Sequence, residues 1–351
     1  MLIKVDIDSD LYKKIEDLVK DGKYDDLYDF IKIALNNQIQ EEQSESSTEG
    51  IGSSKPLDLE IKKNIKEMQR ELHGLLTGVE TEKNEIILSY GSMIWTFYNR
   101  FFPVKIIVRT LANLITSTNK IWFSLDELRE KSFEYAERVS DQLKAYEDEN
   151  ELGRNEKLST GLPLPKSETK NLKGVKKKKK LDKIAASELR FKEQFVGRFL
   201  KKDLDFKGAC FELGLVRAKI NDDGCFLTLS DLGKEFAILE NPILDEDRFD
   251  SNFSNEEVKL IRKQIISKFD FENKVVKRIM KELETKKMSS DELDDVFKEE
   301  WIEYLRIHNP DEADKVYSVT SERVATMGRL AELKLVKWDI ISGKSEYSIV
   351  K

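Results

Sequence analysis

The sequence is poor in the residues that build disulfide scaffolds, metal sites and turn-rich folds. Among its 351 residues are two cysteines, two histidines, six prolines and sixteen glycines. Two thiols and two imidazoles scattered along a chain are too few for a structural zinc site, so we expect no bound metal. The shortage of proline and glycine favours long helices over a β fold that needs many turns.

Long apolar runs and the motifs of common enzymes are also missing. No apolar run reaches the roughly 18 residues that a membrane span requires, and the opening MLIKVDIDSD lacks the pattern of a signal peptide. We therefore expect a cytoplasmic protein without membrane contact. Neither a G-x-x-x-x-G-K-[ST] loop nor a G-x-G-x-x-G turn occurs, and neither histidine neighbours a Ser or Cys motif. The sequence thus predicts a non-enzyme with no catalytic residues and no cofactor.

Charged residues are plentiful, but their balance is acidic. They make up 36% of the chain, and 67 acidic residues outnumber 60 basic ones, which gives a net charge of −7. A small DNA-binding domain usually carries a basic excess. Contact with DNA therefore has to come from local clusters, because the net field does not attract a polyanion. One such cluster is the run of five lysines at Lys176–Lys180.

The first forty residues follow a strand–helix–helix pattern. The stretch LIKVDID alternates like a half-buried strand, and LYKKIEDLVKDGKY and DLYDFIKIALNNQI carry apolar residues at helical spacing. This segment resembles the ribbon-helix-helix family. The resemblance implies a homodimer in which the N-terminal strands of two chains pair, since one copy has bare strand edges and too small a core. The side chains expected at this dimer interface are Ile3, Val5, Ile7, Phe30, Ile31 and Leu35.

In that family the strand pair enters the major groove, and the second helix offers its N-terminus to a phosphate. Here the corresponding turn carries Asp25, Asp26 and Asp29, whose carboxylates repel an anion. The charges favour a pure dimerisation unit, with DNA reading as the alternative.

Composition and apolar spacing divide the chain into segments. The predicted segments are a ribbon-helix-helix unit at 1–40, a flexible linker at 41–56, a connecting helix at 57–83, a winged-helix-like domain at 84–240 and a C-terminal domain at 255–351. Residues 147–182 lose apolar periodicity and are predicted to form a disordered, lysine-rich loop. The aromatic cluster at 95–102 is expected in a core, and Ser124 with Glu127 predicts the start of a helix.

Two segments share the plan of a helix followed by a β-hairpin. The first runs through LGLV to a turn and the strand CFLTL, and the second runs through LKLV to a hairpin at 337–350. Both resemble the winged helix-turn-helix fold of archaeal and bacterial regulators. The fold class is therefore mainly α with short β-hairpins: a ribbon-helix-helix unit plus two winged-helix-like domains. The helices expected in the C-terminal copy are 271–286, 290–306 and 319–334.

The winged-helix resemblance implies which side chains meet DNA. In this fold the third helix lies in the major groove, and the hairpin contacts the phosphate backbone. In the C-terminal copy we expect the third helix to turn Val324, Met327, Leu330 and Leu333 inward. The expected DNA contacts are Ser321, Arg323, Thr326, Arg329 and Lys344 in that copy, and Lys177, Lys178, Arg198, Lys201, Lys202, Arg217 and Lys219 in the first.

Together these patterns predict a DNA-binding protein, namely a dimeric transcriptional regulator or chromatin-associated factor whose partner is double-stranded DNA. The alternative is a non-catalytic scaffold whose winged helices dock on partner proteins, an option that the acidic balance favours. The third helix of the C-terminal copy separates the two hypotheses. Arginines that face outward favour DNA, whereas arginines in internal ion pairs remove that support.

Overall fold

The computed structural model describes residues 65–76, 84–170, 172–200, 205–308 and 319–350. The described chain is mainly helical with small antiparallel sheets, as the scarcity of proline and glycine predicts. Three predictions fall outside the described residues: the ribbon-helix-helix unit with its interface side chains, the linker at 41–56, and the contacts assigned to Lys201 and Lys202.

The first part of the described chain surrounds one buried helix. Its elements are α1 (Ile65–Leu76), α2 (Phe102–Thr118), β1 (Phe123–Ser124), α3 (Leu125–Glu149), α4 (Gly174–Arg190), β2 (Arg198–Leu200), β3 (Asp205–Lys207), α5 (Ala209–Glu212), β4 (Val216–Asn221), β5 (Gly224–Leu229), α6 (Asp231–Ile238) and α7 (Pro242–Glu246). A 3₁₀ turn at Lys166–Thr169 precedes α4, and a π-helical segment at Phe191–Val196 continues it.

The second part also runs from a helix through a short strand to further helices and a hairpin, with fewer elements than the first part. Its elements are α8 (Asn255–Leu260), α9 (Asp270–Thr285), β6 (Met288–Ser289), α10 (Ser290–His308), α11 (Thr320–Glu332), β7 (Val336–Ile341) and β8 (Lys344–Ile349). A π-helical segment at Ile261–Ile265 and a 3₁₀ turn at Ile266–Lys268 join α8 to α9. The bounds of α9, α10 and α11 agree with the three predicted helices to within two residues.

Two of the three sheets in the described ranges have three strands each and are built alike, and the third is the antiparallel pair β2-β3. In the first, the two-residue strand β1 pairs with β5, which pairs with β4, so that the order is β1-β5-β4. In the second, β6 pairs with β8 and β8 with β7, which gives the order β6-β8-β7. Both predicted hairpins are confirmed, and each is closed on one side by a short strand that leads into a long helix.

Helix α2 forms the centre of the core. It packs against α3 and α6, and its side chains Ile106, Ile107 and Leu111 are fully buried. Pro103 lies in its first turn, where the fixed φ of proline suits a helix start. The helix ends at Asn119, whose φ of 56° is the left-handed conformation common after the last helical turn.

Two expectations about the first part need correction. The lysine run predicted within a disordered loop is helical, because α4 begins at Gly174. Lysine has good helix propensity, and the C-terminal half of α4 is anchored by buried residues. The aromatic cluster is only partly core: Tyr98, Phe101 and Phe102 are buried, but Trp95 and Phe97 are about half exposed.

Candidate nucleic-acid interface

Helix α11, the expected DNA-reading helix, turns its arginines inward. Arg329 is 1% exposed, and its Nη2 donates to Glu272 Oε1 at 2.6 Å while Nη1 donates to the Tyr98 carbonyl oxygen at 2.9 Å. Arg323 is buried as well, and its Nε donates to Asp294 Oδ1 at 2.7 Å. The expectation that both arginines meet DNA is wrong, because internal carboxylates hold both guanidinium groups.

The rest of α11 offers little for base reading. Thr326 is fully buried and its Oγ1 donates to Glu272 Oε1 at 2.9 Å, so its expected DNA contact is wrong too. Ser321 on α11 and Lys344 on the hairpin are exposed, as expected. Val324, expected in the core, is 50% exposed. Since the exposed positions of α11 carry neither arginine nor lysine, this helix lacks the long donors that pair with guanine in the major groove.

The basic residues of the first hairpin are engaged by their own domain. Arg217 Nε donates to Glu85 Oε2 at 2.8 Å, and the Lys219 ammonium lies 4.3 Å from the centre of the Trp122 ring. Both side chains stay partly exposed, but an acid and an aromatic face already compensate their charge. Arg198, at the start of β2, is exposed.

Helix α4 presents a set of exposed basic side chains. Its buried residues are Ile184 and Ser187, both in its C-terminal half. Lys180 forms an ion pair with Glu168. The exposed lysines, which we term the α4 lysine surface, are Lys173, Lys176, Lys177, Lys178, Lys179 and Lys183. Within the part of the chain that the structure describes, none of these six forms an ion pair.

The arrangement concentrates positive charge at one end of α4. Successive lysines are rotated by about 100°, and the rise of about 1.5 Å per residue places Lys176 and Lys183 roughly 10 Å apart along the axis. The helix N-terminus adds a partial positive charge of its own. The members that the predicted run did not include, Lys173 and Lys183, had a sequence signal: ten basic and only two acidic residues lie from Lys170 to Lys192 inclusive.

The buried side of α11 has a structural role that sequence reasoning missed. Glu332 accepts hydrogen bonds from the backbone N–H groups of Phe101 at 2.6 Å and Phe102 at 3.1 Å. Helix α2 has no N-terminal side-chain cap from its own cap residue, so this carboxylate satisfies two of its free donors. Burial raises the pKa of Glu332 to about 7, although the Arg100 guanidinium and the two amides oppose that shift. The Glu332 carboxyl, which titrates near neutral pH, therefore connects α11 to the N-terminus of α2 by hydrogen bonds.

This raised pKa gives a pH dependence of stability. A carboxyl whose folded pKa of about 7 lies above its ordinary value of 4.5 binds its proton more tightly in the folded state. The stability it contributes is present below the lower value and is lost as the pH rises through the upper one. We expect a loss of up to about 3 kcal/mol from this group, seen in urea unfolding between pH 5 and 7. Glu332→Gln keeps an acceptor but cannot ionise, so it should flatten the profile; identical profiles would contradict this assignment.

No protein-family model, curated protein or solved structure matches the chain. Over the described ranges, the helices include none that combines the length and apolarity needed to cross a bilayer. The same residues contain no group of three or more His, Cys, Asp and Glu side chains placed to hold a metal ion. What the protein binds therefore has to be inferred from its own surfaces.

Proposed function

We propose that this protein binds nucleic acid through the α4 lysine surface, by attraction to phosphate and without base reading by α11. One observation carries the proposal: six exposed lysines lie together on and just before one helix, with no ion pair among the described residues. Lysines that contact phosphates release condensed counterions, which supplies sequence-independent affinity. A local surface of this kind works even in a chain whose net charge is −7.

The dimensions of the surface suit duplex DNA. A duplex carries one negative charge per roughly 1.7 Å of its axis, so the roughly 10 Å of α4 from Lys176 to Lys183 matches a stretch of several phosphates. The lysines lie around the helix, and their long, flexible side chains bring the ammonium groups to phosphates on either side of it. Sequence-independent contact of this kind fits a chromatin-associated factor better than a regulator that recognises one operator.

We infer further that the two helix–hairpin units are winged helices and that residues 1–40 pair two chains. Support for the first inference is the strand order, in which the short strand pairs with the second hairpin strand in both three-stranded sheets. Support for the second is the strand–helix–helix pattern of the sequence. A dimer carries two α4 lysine surfaces, and simultaneous contact by both strengthens binding to one long duplex.

Salt-dependent binding tests the main proposal. Fluorescence anisotropy would follow the full chain on a 30-base-pair random-sequence duplex from 50 to 200 mM salt. With about five phosphate contacts per chain, we expect the affinity to fall several hundred-fold over this range. Replacing Lys176, Lys177, Lys178 and Lys179 together by glutamine should weaken binding at the lowest salt and reduce the fall to less than about tenfold.

A matched variant controls for the change in net charge. Lys131, Lys286, Lys287 and Lys337 are exposed but already form ion pairs with carboxylates. Changing these four to glutamine removes the same formal charge, and we expect it to leave most of the salt dependence intact. Equal losses in the two quadruple variants would overturn the assignment to α4.

Docking on a partner protein is a second candidate function, and the orientation of α11 favours it. The helix that reads DNA in the resembling fold is here committed to internal packing through Arg329 and Glu332. The result that would support this candidate over the first is a full chain that co-purifies with another protein but does not bind the duplex at about 100 mM salt.

A further inference from the structure

A second basic surface lies in the second part of the described chain, in a groove between two helical walls. One wall is α8 with the π-helical segment and 3₁₀ turn that follow it, and the other is α9. The groove has a volume of about 800 Å³. The proposed contact with nucleic acid through α4 does not use this groove.

Five cations line the groove, and we term it the basic groove. Lys259, Arg262 and Lys263 lie on one wall at i, i+3 and i+4, and Lys277 and Lys281 lie one turn apart on α9. All five are exposed, and within the described ranges none forms an ion pair. Glu284, three residues after Lys281 on α9, is the one acidic side chain among the described residues that line the groove. Five cations against one carboxylate leave the groove net positive, so it attracts an anionic ligand.

The lining between these two rows is mostly apolar, although Ser267 and Asn273 also contribute to it. Ile266 and Val276 are buried there, and Met280 is partly exposed. Methionine is flexible and polarisable, so it adapts to apolar side chains of differing shape. An apolar floor between two basic rims is complementary to a helix that carries an apolar stripe with acidic residues on both sides.

Nucleic acid is a poorer match to the same groove. Single strands are held by aromatic side chains on which the bases stack, and the described residues that line the groove include no aromatic one. A duplex backbone presents charge to the rims but no apolar group to Met280 on the floor.

We propose that the basic groove binds an acidic amphipathic helix of a partner protein. The five cations pair with carboxylates on the two flanks of that helix, and its apolar stripe packs on Met280 and Val276. The site is independent of the α4 lysine surface, so one assignment can fail while the other stands.

Binding of a synthetic peptide to the full-length protein tests the proposal. The probe is a fluorescent 18-residue peptide with leucine at helical spacing and glutamate on both flanks of the leucine stripe. A scrambled peptide of the same composition has the same charge but no stripe. We expect the amphipathic peptide to bind at least tenfold more tightly than the scrambled one. Met280→Asp, which keeps all five cations, should remove most of that preference.

Charge reversal tests the rims. Lys277→Glu with Lys281→Glu should weaken the amphipathic peptide at least tenfold, because like charges then face each other, and a peptide with lysine in place of glutamate should bind this variant better than the wild type. Both positions are exposed, and circular dichroism would verify folding.

The control is the quadruple lysine-to-glutamine variant of α4, which should bind the peptide like the wild type. Equal binding of scrambled and amphipathic peptides would overturn the proposal, as would a 12-nucleotide single strand that binds more tightly than the peptide and is lost on charge reversal.

Discussion

Replacing Arg329 with methionine is expected to destabilise the protein by about 3–5 kcal/mol, because it leaves a buried carboxylate without its cation. Arg329 and Glu272 are each 1% exposed, and their ion pair is 2.6 Å long. Thr326 Oγ1 also donates to Glu272, but one neutral hydroxyl does not replace a guanidinium. Urea unfolding at pH 7 measures the loss.

Removing the charges of both Arg329 and Glu272 shows whether the single variant loses stability through an unpaired charge or through lost packing. In the double variant Arg329→Met with Glu272→Leu no buried charge is left unpaired, and we expect it to recover much of the stability that the single variant loses. Arg262→Met on the exposed rim of the basic groove is the control and should change stability by less than about 0.5 kcal/mol. A single variant as stable as that control would mean that α11 does not bury this arginine.

Replacing Lys105 with methionine is also expected to cost about 3–5 kcal/mol. The Lys105 ammonium is fully buried, forms an ion pair with Glu257 at 2.7 Å, and donates to the Phe236 and Leu239 carbonyl oxygens at 2.6 and 2.8 Å. These carbonyls lie at the C-terminus of α6, where a cation also compensates the helix dipole. Burial lowers the pKa of Lys105 to about 8, opposed by Glu257, so the group is still largely protonated at pH 7.

Lys131 provides the matched comparison for this variant. It pairs with Glu134 at 3.1 Å, but both side chains are about half exposed. Exposed pairs of this kind contribute little, so Lys131→Met should cost less than about 1 kcal/mol. Thermal unfolding of the two variants side by side should therefore separate them by many degrees. Similar melting temperatures would show that Lys105 is not the internal anchor of α6.

The local elements could be predicted from the sequence because their signals are local. Ser124 accepts a hydrogen bond from the Glu127 backbone N–H at 3.2 Å, as the spacing of the two residues predicts. Alternating apolar residues with a short polar turn place both hairpins, and the apolar spacing of α11 correctly buries Met327, Leu330 and Leu333.

The orientation of α11 could not be predicted, because it depends on residues far away in sequence. The acids that hold its two arginines, Glu272 and Asp294, lie 57 and 29 positions from their partners. A helical pattern shows one apolar stripe, and it does not show that a second face is buried against other elements. Val324 belongs to this apolar stripe but is exposed, because contacts with distant residues set how α11 is rotated against the rest of the domain.

For helix α4 the sequence prediction failed in the opposite way, because a helical segment was predicted to be a disordered loop. A run of five lysines has the composition of a solvated loop, and only the two buried anchors Ile184 and Ser187 reveal that the chain is held against the domain. Ser187 Oγ accepts a hydrogen bond from the Leu164 backbone N–H at 2.9 Å. Two contacts of this kind are too few to produce a visible apolar period.

Lysine footprinting tests the central assignment most directly. The full chain would be acetylated with and without a 30-base-pair duplex, and mass spectrometry would give the modification rate of each lysine. We expect the duplex to slow acetylation at Lys176–Lys179 and to leave Lys344 on the second hairpin unchanged. Slower acetylation of Lys344 with unchanged rates on α4 would contradict DNA binding through the α4 lysine surface. It would place the DNA contact on the C-terminal hairpin instead.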